Sequence, residues 1–156
     1  METTETEIVL SLRKIVRAVE MDSRRLSTQF NTTPAQLLAL RQLLDSADKS
    51  LAKLAEEVGL SSSTMVGVVD RLEKKGLVVR IRGQKDRRLV NIVITDEGRQ
   101  YLDKSPKLLQ DKLTESLSSY SDSNKTKILD SLRKITDILD AEEIDASPVL
   151  DAGGLV

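Results

Sequence analysis

The chain contains neither cysteine nor histidine. The absence of cysteine excludes disulfides, thiol redox sensing and thiolate metal sites. The absence of histidine removes the commonest metal ligand and general base. Carboxylates, serines, lysines and two tyrosines remain as catalytic candidates, and no motif arranges them. The sequence therefore points away from an enzyme and implies no metal or cofactor. Aromatic residues make up only 2%, and tryptophan is missing, so a core must be built from Leu, Ile and Val. No apolar run approaches the length of a bilayer span, and the N-terminus METTETEI is acidic rather than signal-like. No membrane partner is expected, and the expected compartment is the cytoplasm. What remains is 156 residues, 39% hydrophobic and 31% charged, which suits one soluble, helix-rich domain.

The most informative stretch is Ser61–Thr95, SSSTMVGVVDRLEKKGLVVRIRGQKDRRLVNIVIT. Met65, Val68, Val69 and Leu72 recur at helical spacing and mark one apolar face. Ser63, Gly67, Asp70 and Lys74 fall opposite, and the small residues among them allow a close approach. Ser61 is placed to cap the start of this helix and Gly76 to end it. The period then changes: Leu77, Val79 and Ile81 alternate with Val78, Arg80 and Arg82, as in a strand. Gly83–Asp86 carries turn chemistry, and Leu89–Ile94 is rich in β-branched residues, as in a returning strand.

Charge suggests the partner. Between Arg71 and Arg88 stand eight basic residues (Arg71, Lys74, Lys75, Arg80, Arg82, Lys85, Arg87, Arg88) against Glu73 and Asp86, a window of 8 − 2 = +6 in a chain of net charge −1. A basic patch on an otherwise acidic protein suits a polyanion such as double-stranded DNA. A solvated charged hairpin is the plainer alternative for this window alone.

In chain order, residues 1–7 are polar and expected to fray. Ile8, Leu12, Ile15, Val19 and Leu26 follow steps of 4, 3, 4 and 7. They fit either a coiled-coil-like seam, interrupted by Asp22, or an amphipathic helix on its own core. Asn31–Pro34 is a break and restart, with Thr33 as cap, Pro34 at the first helical position and Gln36 completing a capping box. Leu37, Leu40 and Leu44, widened by Leu38 and Leu43, predict a buried helix ending near Ala47–Asp48. Ser50 caps the next helix, whose inner face is Leu51, Leu54, Ala55 and Val58. Gly59 ends it, Leu60 packs back, and Ser61 starts the helix described above. Two helices joined by a short glycine-containing turn form a helix-turn-helix. Beyond the hairpin, Thr95 caps another helix with Leu102, Leu109, Leu113, Leu117 and Tyr120 on its apolar side, and Pro106 predicts a kink or break near Ser105. Ser121–Asn124 is a turn and cap cluster. Ile128, Leu132, Ile135 and Leu139, flanked by Leu129 and Ile138, mark the last helix. Residues 144–156 form an acidic tail expected to be weakly ordered.

The blocks GLSSSTMVGVVDRLEKKGLVVR and DRRLVNIVITDEG, with TTPAQLLAL upstream, resemble the MarR-type regulators, a family named for multiple antibiotic resistance. The resemblance covers about residues 8–143 and is strongest at 33–102. It implies one mainly α domain with a small β-hairpin wing: a winged helix-turn-helix lobe at 33–101, and an interlocking helical dimerisation region at 8–32 and 102–143. The recognition helix would enter the major groove through Ser61, Ser63, Thr64, Val66, Gly67, Arg71 and Lys74. The wing would reach the minor groove through Arg88, with Lys85 and Arg87 beside it and Asp86 bracing an arginine. The chain departs from the family pattern at Val66 and Gly67, where Thr or Ser followed by Arg is frequent. Val66 suits contact with a thymine methyl group, and Gly67 suits close approach.

The resemblance also implies a homodimer, a pseudo-palindromic operator and a small-molecule effector, amphipathic or lipophilic, that releases a repressor from DNA. The effector cleft would draw on Val16, Val19, Phe30, Leu38 and Leu102, residues that read equally well as ordinary core. Two other functions fit the same sequence: a DNA-binding occupancy or architectural factor without an effector, and a helical protein-interaction module.

Overall fold

The computed structural model describes residues 3–45, 49–83, 90–144 and 150. The chain is mainly helical with one small antiparallel sheet, and it falls into two compact units that divide between Pro106 and Lys107.

The first unit opens with α1 (Thr4–Phe30). The fraying expected over residues 1–7 is not found at Thr3–Glu7, and residues 1 and 2 lie outside the described residues. The Thr3 side chain accepts the Thr6 N–H, and Glu5 and Glu7 lie in the positively polarised first turn, so the helix starts at Thr4. Asn31 ends it in the left-handed region at φ 48°. Helix α2 (Pro34–Leu44) begins as expected, with the Thr33 side chain accepting the Gln36 N–H. The capping box does not close in the expected way, because the Gln36 side-chain oxygen accepts from Lys75 Nζ at 2.8 Å. The helix ends at Leu44, short of Ala47–Asp48, which lie outside the described residues. Leu44 is exposed while Leu37, Leu38, Leu40 and Leu43 are buried.

A two-residue strand β1 (Lys49–Ser50), too short to leave a periodic signal, precedes α3 (Leu51–Val58). Ser50 caps α3, and Gly59 ends it at φ 73°, a backbone state that glycine adopts without a Cβ clash. Helix α4 (Ser62–Lys74) is capped by Ser61 and buries Met65, Val68, Val69 and Leu72, the four residues of its predicted apolar face. Strands β2 (Val78–Arg82) and β3 (Val90–Ile94) pair antiparallel, Val78 opposite Ile94 and Arg82 opposite Val90, and β1 pairs on the other edge of β3. Helix α5 (Asp96–Lys104) follows directly. Thr95 stitches this corner: its hydroxyl donates to Gly76 O at 2.7 Å and accepts the Gly98 N–H at 3.0 Å. A Cβ on Gly98 would stand 2.1 Å from Leu77 O, so only glycine fits this joint. The core of the lobe joins Leu37 and Leu40 to Leu54, Met65, Val69, Leu72, Val78 and Ile92.

The expected break near Pro106 is present. α5 stops at Lys104, and Ser105 is extended (φ −76°, ψ 148°), the conformation a following proline favours. The second unit holds α6 (Leu109–Ser118) and α7 (Asp122–Ile138), the latter capped by Ser121. Neither helix has a buried residue. Most of the acidic tail lies outside the described residues.

Candidate nucleic-acid interface

Helix α4 presents its outer side from its first turn. The Ser61 hydroxyl caps the helix through the Thr64 N–H at 3.1 Å and lies 3.0 Å from Ser63 Oγ and 2.8 Å from Thr64 Oγ1. These three hydroxyls form one exposed polar cluster at the start of the helix. Val66 is 42% exposed, an apolar residue facing outward where the core has no use for it. One turn of helix separates the hydroxyl cluster from Gly67, and a Cβ built there meets nothing within 4 Å. A glycine inside a helix costs about 1 kcal/mol relative to alanine. Packing within the chain therefore gives no reason for Gly67. Arg71 and Lys74 are exposed on the same helix.

The basic window does not project as eight free cations. Arg80 on β2 reaches back to α4, with Nη2 2.5 Å from Asp70 Oδ1 and Nη1 hydrogen-bonded to Glu73. Burial works against the Arg80 charge, but the hydrogen bonds from Asp70 and Glu73 outweigh it and strengthen its hold on the proton. Because the two carboxylates remain partly exposed, this triad adds only modestly to stability. Its consequence is geometric: it ties the recognition helix to the first wing strand. Lys75 is also committed, with Nζ donating to the Asn31 carbonyl and to Gln36 Oε1. Burial first, and the Arg71 guanidinium second, lower its proton affinity below that of an ordinary lysine. Lys75 thereby places a cation at the negative end of α1, whose own last turn has no basic residue. Nearby, the Tyr101 hydroxyl donates to Phe30 O at 2.7 Å.

Lys85, Asp86, Arg87 and Arg88, the wing-tip residues expected at the DNA, lie outside the described residues. The wing's described part ends at Gly83, after the exposed Arg82.

The residues expected around an effector are divided among three helices. Val16 is exposed, Val19, Phe30 and Leu102 are half-buried, and Leu38 is in the core. Val16 lines a shallow depression along α1 with Val9, Leu12 and Glu20. Arg25 lies over the Phe30 ring at 5.9 Å from its centre. A separate open cavity of about 340 Å³ lies where the end of α1, the start of α2 and the end of α4 meet, and none of those five residues lines it.

Sequence reasoning missed the Arg80 triad and the Lys75 clamp. Asp70 and Glu73, acids at the edge of the basic stretch, were a signal for the triad. Nothing local signals the clamp, whose partners are 39 and 44 residues away. Among the described residues no helix is long and apolar enough to cross a membrane, and no group of acidic side chains could hold a metal ion.

A sequence model of the MarR family matches residues 32–90. The HTH-type transcriptional regulator YsmB of Bacillus subtilis is 29% identical over 129 residues, covering 83% of this chain and 88% of that protein. The HTH-type transcriptional repressor MdtR of the same organism is 31% identical over 93 residues, 60% of each chain. The crystal structure of the transcriptional regulator BldR from Sulfolobus solfataricus superimposes with a TM-score of 0.58 at 30% identity, covering 88% of this chain and 99% of that one. The capped helix pair α3–α4, the three-stranded sheet behind it and these likenesses agree: the chain belongs to the MarR family and is a winged helix-turn-helix, DNA-binding transcriptional regulator, not an enzyme.

Proposed function

We infer that the protein acts as a homodimeric repressor in the cytoplasm, bound to a pseudo-palindromic operator and released by a small amphipathic or lipophilic molecule. The observation that carries the DNA-binding part is the outer side of α4. A hydroxyl cluster, an outward valine and a glycine without a packing role lead to two exposed cations. In this reading Ser61, Ser63, Thr64, Val66, Gly67, Arg71 and Lys74 meet the major groove. Lys85, Arg87 and Arg88 meet the minor groove, with Asp86 holding an arginine in place.

The dimer is supported by apolar surface that the chain leaves uncovered. Ile8, Val9, Ile15, Val16 and Met21 of α1 are 45–59% exposed, and Leu132 and Ile138 of α7 are 48% and 75% exposed. Such stripes are what an interface between two copies would bury. Two-fold symmetry then requires half-sites one turn of DNA apart, roughly 34–36 Å. The repressor sense is supported by the name of MdtR. The effector rests on the family resemblance, with Val16, Val19, Phe30, Leu38 and Leu102 as its proposed lining.

The experiment is genome-wide mapping of bound DNA, followed by footprinting of the strongest site with the purified protein. A symmetric pair of protected half-sites and a dimer by sedimentation at micromolar concentration are expected. A single isolated half-site, or a monomer, would reject the dimeric reading. Release of DNA by peroxide alone would reject the small-molecule reading, because the chain has no thiol with which to sense it.

A further inference from the structure

The first wing strand carries apolar residues on both of its faces. Val78 points inward and is fully buried, whereas Val79 and Ile81 are 41% and 51% exposed. Val93 stands opposite Val79 on β3, and Asn91 opposite Ile81, so both share that outer face. Asn91 is in turn opposite Ser50 of β1. The outer face is therefore polar toward β1 and apolar toward β2. Strand β2 is also the end of the order β1–β3–β2, and among the described residues no strand pairs with its other edge. An apolar face beside an unpaired strand edge is a template for an extended segment. Arg82, exposed at the end of the strand, makes the template positive. Arg80 does not contribute, because Asp70 and Glu73 hold it.

We propose that the open edge and outer face of β2 are the docking site for the acidic C-terminal segment of the same chain, residues 145–156. The segment complements the wing in both charge and polarity. It continues an acidic run that begins at Asp140 and holds five carboxylates and no basic residue. Asp145 and Asp151 carry the charge of residues 145–156, and Val149 and Leu150 supply adjacent aliphatic side chains. The wing sequence from Arg80 to Arg88 holds five basic residues against Asp86 alone. Opposite charges of this kind steer two surfaces together and fix their pairing. Pro148 lacks an N–H, which suits a strand paired along one edge only. Pairing of two β2 edges from different copies is disfavoured, because it would set like charges opposite each other.

A second observation points the same way. Helix α7 and Ile144 belong to the second compact unit, but Leu150 belongs to the first, the unit that contains the wing. Leu150 is 41% exposed, so more than half of it is covered, whereas Ile144 is 67% exposed. Docked on β2, the segment sets carboxylates beside Arg82 and screens the strand that leads to the wing tip. Polyanions without the operator's specific contacts are then disfavoured. That consequence rests on the proposed wing contacts, and the docking itself does not.

The test uses the full chain without DNA and exploits its lack of cysteine. Ala152→Cys supplies the only thiol, which carries a nitroxide label, and amide NMR reads the loss of signal that the label causes at each residue. At low salt the strongest loss is expected at residues 78–82 and 91–94. Ile81→Asp should lower the docked fraction about tenfold, because it removes apolar contact and sets a like charge before the acidic segment. Leu150→Ser, and Asp145→Asn together with Asp151→Asn, should also lower it. Those changes leave the wing untouched and keep the test valid if Ile81→Asp perturbs the sheet. Signal loss no stronger at β2 than at α2, or loss unchanged by all these substitutions, would overturn the proposal. Effects seen only between copies, in a mixture of nitroxide-labelled and isotope-labelled chains, would overturn docking within one chain. Protection of β2 amides that rises with protein concentration and ignores the label would mean edge pairing between copies, and would overturn it as well. Failure to find any operator would count against the DNA-binding role while leaving this measurement interpretable.

Discussion

The winged lobe and the flanking helices treat their apolar residues in opposite ways. In α2, seven of eleven residues are buried, and α4 buries its whole predicted stripe. In α1 only Leu26 is buried out of 27 residues, and α6 and α7 bury none. All of these helices show a helical apolar period, so the period alone does not decide burial. The lobe closes a core from sequence-adjacent helices and three strands, whereas the apolar faces of α1 and α7 remain open to water. The lobe thus fills its core within one chain, whereas the apolar faces of α1 and α7 are the surfaces that the proposed dimer would cover.

That contrast can be broken by substitution. The largest effect is expected inside the lobe: Leu72→Ala, at a site with no exposure, should destabilise by roughly 2–5 kcal/mol in denaturant unfolding. Next comes Gly98→Ala. Its Cβ would meet Leu77 O, so the joint between β2 and α5 must shift, costing about 1–3 kcal/mol. A thermal midpoint equal to that of the parent would show that the corner yields freely.

At the wing, Arg88→Ala should weaken operator binding by about 1–3 kcal/mol and make the salt dependence shallower by about one unit of log–log slope. Asp86→Ala should weaken binding as well, although it makes the wing more positive. Tighter binding in a salt titration would reduce the wing to an electrostatic patch.

The two helical glycines then sharpen the comparison between packing and recognition. Gly67→Ala meets open space, so it should raise stability by about 0.4–1 kcal/mol, the opposite sign to Gly98→Ala. It should also weaken operator binding, because in the proposed interface the added methyl would stand between α4 and the DNA. A Gly67→Ala protein that binds operator as tightly as the parent would remove Gly67 from the interface.

The smallest effect on the lobe is expected from Leu132→Asp, at a half-exposed position of α7. Hydrogen exchange of α2–α4 should change by less than about 0.5 kcal/mol, while sedimentation shifts from dimer to monomer. Loss of exchange protection throughout the lobe would mean that the two regions are not energetically separate.

Much of the lobe was legible in the sequence because its determinants are local. Thr33, Ser50, Ser61, Thr95 and Ser121 each cap a helix by accepting an N–H three residues ahead, an interaction readable from neighbouring letters. Gly59 and Gly76 adopt positive φ where a helix must stop. Pro106 breaks the helix through its own ring and its effect on Ser105. The start of α1 was missed although Thr3 is a similar cap, because acidic polar residues resemble a frayed end until the helix dipole is considered.

The remaining features depend on groups far apart along the chain. β1 has two residues and exists only because β3 offers Asn91 and Ile92 as partners. Arg80 looks like one more wing cation until folding brings Asp70 and Glu73 to it. Lys75 meets Asn31 and Gln36 across about forty residues, and Tyr101 meets the Phe30 carbonyl across 71. The sequence by itself determined most helix boundaries, though not the start of α1 or the end of α2, and which side of each helix is apolar, because backbone hydrogen bonding and side-chain periodicity act within a few residues. Only the tertiary structure decided which cations are neutralised and which stay exposed, because charges separated along the chain interact through space once the lobe has closed.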